Sequence, residues 1–167
     1  MSTRPTKSTA GFTIVELLLA LAITGLLLAA VAVAFNASII NYQENEDIFK
    51  TINTARQALF RITSRLRTAD AVDPNSPDNE CALITAGGED ITYQYNNADN
   101  KLHLIDNSSG SDYVLCDNVI AATFQKATAV DEDGITYVKS VQISMTVESG
   151  NIQRTVWAAA AIRTYLY

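Results

Sequence analysis

Residues 12–35 read FTIVELLLALAITGLLLAAVAVAF, an unbroken apolar run with one charge, Glu16. Wound as an α-helix, these 24 residues would reach ~36 Å, enough for a hydrocarbon core ~30 Å thick. Leu and Ala favour the helix, and Gly25 costs only about 1 kcal/mol against them. Upstream, MSTRPTKSTAG is polar and carries Arg4 and Lys7; downstream stand Glu44, Glu46 and Asp47. Basic flanks stay on the cytoplasmic side of a spanning helix, so the asymmetry predicts a cytoplasmic N-terminus and a translocated remainder. An ordinary secretory signal fits poorly, because its apolar core runs ~7–15 residues and its small-x-small site follows that core. A plain signal anchor fits the length.

Glu16 argues against the plain anchor. A carboxylate at membrane depth costs about 2.5–3.5 kcal/mol near the helix centre and less toward an end. A cut after Gly11 would make Phe12 the new N-terminus and leave its free amine one turn from Glu16. The two charges could then neutralise each other within one chain or between staggered neighbours. An uncleaved anchor gains nothing comparable from this acid.

The stretch Gly11-Phe12-Thr13-Ile14-Val15-Glu16-Leu17-Leu18 resembles the prepilin cleavage and N-methylation motif of type IV pilins and type II secretion pseudopilins. The resemblance implies a cut between Gly11 and Phe12 by a membrane-embedded aspartyl prepilin peptidase, which also methylates the Phe12 amine. It implies that Glu16 guides assembly by pairing with the amine of a neighbouring subunit. Implied partners are other pilin or pseudopilin subunits, the inner-membrane assembly platform, and the lipid bilayer before assembly. Many major pilins distort this helix with a proline, and none occurs from Phe12 to Arg67. That departure points to a minor pilin or a pseudopilin.

From Ile48 the apolar positions continue through Ile52, Ala55, Leu59, Ile62, Leu66 and Ala69, alternating steps of four and three. That spacing puts one apolar stripe on a helix, suited to lying on a sheet. Pro74 and Pro77, among Asn, Ser and Asp, mark a loop. The period then becomes two. Strands are predicted at ITYQYN (91–96), KLHLI (101–105), YVLC (113–116), 119–126 and 141–147, and a hairpin at Ser149-Gly150-Asn151 leads into 152–163. The expected organisation is a cleaved leader at 1–11, a transmembrane and assembly helix at 12–35, its amphipathic continuation at 36–70, and a β-rich periplasmic or extracellular head at 71–167. The fold class is α+β, a long N-terminal helix packed on a mainly antiparallel sheet. The closing strand pattern loosely resembles larger minor pilins and J-type pseudopilins.

Losing Arg4 and Lys7 with the leader takes the net charge from −6 to −8. An acidic chain without a Lys/Arg cluster speaks against nucleic-acid binding. Cys81 and Cys116, both beyond the apolar run, read as one disulfide in an exported domain, with two unpaired buried thiols as the alternative. Closing that loop would contribute roughly 3–4 kcal/mol. His103, the only histidine, reads as a solvent-facing strand residue. Asp131-Glu132-Asp133-Gly134 reads as a turn; Asp131 and Asp133 are the candidates for calcium, although a full loop needs more oxygen ligands. Tyr93, Tyr95, Tyr113 and Tyr137 read as sheet packing. No nucleophile motif, phosphate loop or carboxylate pair stands out, so no enzymatic activity and no cofactor are expected. The reading is a structural filament subunit of the inner membrane and then of a pilus or pseudopilus. The alternative is a pilus-tip binding subunit, an adhesin or a DNA-uptake component.

Overall fold

The computed structural model describes residues 11–163; the leader apart from Gly11 lies outside the described residues, as do residues 164–167. The element order is α1 (Ile14–Arg67), β1 (Ala69–Val72), β2 (Glu80–Thr85), β3 (Asp90–Asn96), β4 (Lys101–Asp106), β5 (Ser111–Cys116), β6 (Val119–Val130), β7 (Thr136–Ser149) and β8 (Ile152–Ala161). One long helix followed by antiparallel sheets makes this an α+β, pilin-like architecture. The chain divides into two compact units, Met1–Gln43 and Glu44–Tyr167.

In the first unit, all described residues are exposed, Leu18 and Leu27 to 61% and 62%. So much continuous apolar surface needs a cover of lipid or protein. The few polar side chains are already quiet: Thr24 donates to the Ala20 carbonyl at 2.8 Å and Ser38 to that of Ala34 at 3.0 Å. Hydroxyls folded back on the helix in this way present no unpaired donor to hydrocarbon.

The second unit holds the core, which begins at Ile48, the first buried residue. Ala55, Leu59, Ile62 and Leu66 of the stripe are buried against strand residues of both sheets, and Ile52 packs at the margin. Basic Arg65 and Arg67 occupy the last helical turn, where cations favour the carbonyl end. Ala69, the seventh member of the stripe, is buried but belongs to β1.

Five strands form a meander in the order β1-β2-β3-β4-β5, and three form a second sheet, β6-β7-β8, with antiparallel pairing throughout. On the first sheet Leu83, Ile91, Tyr93, Leu102 and Leu104 are buried; on the second, Phe124, Val141, Ile143, Met145 and Val147. The sheets are laced together by the β1–β2 loop. Lys126 of β6 donates to the Ser76 and Pro77 carbonyls at 2.7 and 3.1 Å, and the Phe124 amide donates to Asp78 at 2.7 Å. The Tyr93 hydroxyl is the exception to good pairing. Among the described residues it is the one buried side-chain polar atom with no well-formed hydrogen bond, although the Arg65 guanidinium lies near enough to interact with it.

The strands predicted at 91–96, 101–105, 113–116, 119–126, 141–147 and from 152 are all present, and the alanine-rich end of β8 is strand. Strands β1 and β2 are additions to the sequence reading. The turn at 149–151 holds: Ser149 pairs with Ile152, and Gly150 supplies a positive φ of 59°.

The disulfide is a correction. Cys81 lies on β2 and Cys116 on β5, with β3 and β4 between them, and both thiols are free and buried. Three interstrand steps separate the two by ~14 Å, whereas a bridge requires Cα atoms within roughly 4.4–6.8 Å. Burial pushes each thiol up to about 11, so neither is an effective nucleophile near neutrality. Iodoacetamide should therefore leave the native protein unmodified and label both thiols once it is unfolded. A native mass lower by two hydrogens would indicate a bridge and a different strand order.

Candidate functional site

The N-terminal end of α1 gathers the residues singled out in the sequence. Gly11, Phe12 and Thr13 precede the helix in non-helical conformation, and Phe12 is 90% exposed. The Gly11–Phe12 peptide bond is thus open to an external reagent. Nothing in the chain itself demands glycine at this point: an added Cβ at Gly11 would meet no atom within 4 Å.

Glu16 has partners within the chain. Its Oε2 accepts from the Thr13 backbone N–H at 2.9 Å and from the Thr13 hydroxyl at 3.0 Å. The Glu16 N–H donates in return to Thr13 Oγ1 at 3.2 Å. This is a capping box, Thr at the N-cap and Glu three residues on, which satisfies N–H groups that the first turn leaves without partners. Thr13 is therefore a site residue that the sequence reading passed over, although Thr-x-x-Glu before an apolar run is its written signature. The acid also complements the positive end of the helix dipole. Cleavage between Gly11 and Phe12 would leave Thr13 and Glu16 intact and put a free amine one residue ahead of the box.

In the second unit, His103 corrects the expectation of a solvent-facing residue, since it is only 8% exposed. It stands on β4 between Asp112 of β5, at 2.7 Å from Nδ1, and Asp99 of the β3–β4 turn, at 2.9 Å from Nε2. Ionised carboxylates only accept, so two of them, one at each ring nitrogen, favour the doubly protonated, charged imidazole. Burial pushes its pKa down, but the hydrogen bonds and charges of Asp112 and Asp99 outweigh that and hold it above the ordinary value. A raised pKa in the folded state stabilises the head fully below the unfolded-state pKa of ~6.5, and this is lost as pH rises through the folded value. In urea titrations from pH 5.5 upward, wild type should lose this increment as the pH passes the folded-state value, while His103→Gln should show no such loss. Equal pH dependence in both proteins would refute the assignment.

Asp131 Oδ1 accepts from the Asp133 and Ile135 amides at 3.0 and 2.8 Å, and Gly134 has a φ of +83°. These contacts make the segment a turn between β6 and β7. Among the described residues, no group of three or more His, Cys, Asp or Glu is placed to hold a metal ion. The four tyrosines divide: Tyr93 is buried, Tyr95 and Tyr137 half-buried, and Tyr113 exposed.

The geometry defines a class: a chain with one helix, among the described residues, long and apolar enough to cross a membrane, headed by an accessible peptide bond and a capped acid. Residues 6–32 match the prokaryotic N-terminal methylation motif, a finding consistent with the type IV pilin-like family. Neither the curated proteins nor the solved structures compared with the chain give a match. The motif supports a type IV pilin-like subunit, and with the apolar helix it supports anchoring in a membrane.

Proposed function

We propose that this chain is a non-catalytic filament subunit, a minor pilin or pseudopilin. It is inserted in the inner membrane with its head in the periplasm, cut between Gly11 and Phe12, methylated on Phe12, and assembled through its apolar helix. The observation that carries the reading is that every described residue of the apolar first unit is exposed, beside the N-terminal methylation motif. A lone anchor would need only lipid; an acid at its start and no packing within the chain suit a helix that moves from lipid into a bundle of like helices. Glu16 then has two successive partners. Before assembly Thr13 holds it; after processing it meets the amine of Phe12 on its own or a neighbouring chain. The prepilin peptidase, the assembly platform and the other subunits are the partners this mechanism requires.

Mass spectrometry of the chain recovered from filaments tests the processing step. The expected product begins at Phe12 and is one methyl group heavier than the bare sequence. Filaments built from chains that still begin at Met1 would overturn the proposal.

A further inference from the structure

Two cavities adjoin at Ile120 of β6, which lines both. The larger, about 820 Å³, lies between the β1–β2 loop, the β3–β4 turn and β6, within the ~300–1,000 Å³ range of small-molecule sites. The smaller, about 300 Å³, is bounded by Asn100, Asn118 and the β7–β8 turn. Main-chain hydrogen bonds fix these walls. The Tyr95 N–H donates to the Asn79 carbonyl at 2.9 Å and the Phe124 N–H to that of Asp78 at 2.7 Å. The Val119 N–H reaches the Asn100 carbonyl and the Glu148 N–H that of Asn118, both at 2.9 Å. Asn100 and Asn118 have φ of 58° and 54°, a left-handed conformation that Asn tolerates better than most side chains. His103 ties down the β3–β4 turn through Asp99, at 2.9 Å.

With the walls held by backbone, the side chains are left to a ligand. Among the described residues, the side chains of Asp78, Asn97, Asn100, Asn118 and Thr123 have no hydrogen-bond partner. Asn79 and Asn96 each engage one end of the amide, donating to the Tyr95 carbonyl at 3.3 Å and accepting from the Ala98 N–H at 2.9 Å. An amide offers a donor and an acceptor side by side, which is what a pair of neighbouring sugar hydroxyls offers in return. Among the described residues no Lys or Arg lines either cavity, and the acids there are Asp78 and Glu148. A phosphate, sulfate or nucleic acid therefore finds no countercharge. The apolar lining is modest: half-buried Tyr95 and Ile120, with Ala98, Ala121 and Ala122. That is too little for a lipid, but it suits a pyranose ring, which is polar at its rim and apolar on its C–H faces. We propose that the two cavities form one groove that binds a neutral oligosaccharide.

The test uses the isotopically labelled full chain in micelles of a detergent without a sugar headgroup. It is titrated with triacetylchitotriose and with maltotriose and followed by NMR. The amide signals of Asn97, Asn118 and Thr123 should move saturably with at least one of the two sugars, while that of Arg61 on α1 stays in place. Asn97→Asp keeps the shape of an exposed side chain but exchanges its two donors for a charge. It is expected to weaken binding roughly three- to tenfold. Asn118→Gly puts a residue at ease with positive φ in the same turn and removes the amide of the smaller cavity; binding should weaken to a similar extent. The remaining amide spectrum reports that each variant is folded. No saturable shift with either sugar would overturn the proposal, and so would unchanged affinity in both variants. Tighter binding of protonated chitotriose would assign the groove to a cation, and an equal response to triglycine would reduce it to an unselective polar cleft; either result refutes the oligosaccharide site.

Discussion

Glu16→Ala is expected to be cut normally after Gly11 yet to enter filaments less than wild type, by up to about 100-fold. On the proposed reading the cut falls at the Gly11–Phe12 bond, five positions from the altered side chain, and the Ala variant keeps the apolar run. What it loses is the only negative charge between Phe12 and Phe35. The new amine would then be left uncompensated in a medium where a bare charge costs about 2.5–3.5 kcal/mol at the helix centre and less at its end, so the stated factor, at about 1.4 kcal/mol per tenfold, is an upper limit. Quantitative blotting of sheared filaments against the membrane fraction measures the ratio. Thr13→Val separates the capping role from the charge: it removes the hydroxyl that meets Glu16 but spares the acid. Its effect should be only a few-fold. Wild-type incorporation of Glu16→Ala would remove the basis for the assembly mechanism.

The second large effect is expected from Ile62→Ala. Ile62 is fully buried at the centre of the stripe, and trimming such a residue to alanine removes about 2–5 kcal/mol. Whole domains have only about 5–15 kcal/mol to lose. The neighbouring Phe60, 74% exposed on the same helix, provides the contrast: Phe60→Ala should change stability by no more than about 0.5 kcal/mol. Urea unfolding followed by Trp157 fluorescence distinguishes the two. If the larger loss fell on Phe60, the helix would be rotated from the face described.

The division between these two residues was legible before the structure, because a step of four and three tolerates no other face. The same regularity concealed β1. Ala69 continues the helical stripe by number, but the helix ends at Arg67 and the residue is buried from a strand instead. In β2 the alternation is blurred, since Ala82 and Ile84 are apolar on the face opposite buried Cys81 and Leu83. The disulfide failed for a different reason. Sequence separation limits loop closure, while strand order decides distance, and the meander sets two strands between the thiols. His103 stands on the face predicted by its alternation with Leu102 and Leu104; what periodicity omits is that Asp99 and Asp112 flank it on that face. At the N-terminal site, Gly11, Phe12 and Glu16 were readable as a motif. Thr13 was overlooked because the acid was weighed against a future amine rather than against the turn it already caps.

Among the described residues, none before Ile48 contributes to the core of the second unit. The molecule is therefore divisible. A protease acting on the exposed stretch between Phe35 and Gln43 would release every core side chain together, as a water-soluble fragment free of its greasy tether. On the proposed arrangement such a cut would free the head still folded and leave a short hydrophobic stub behind.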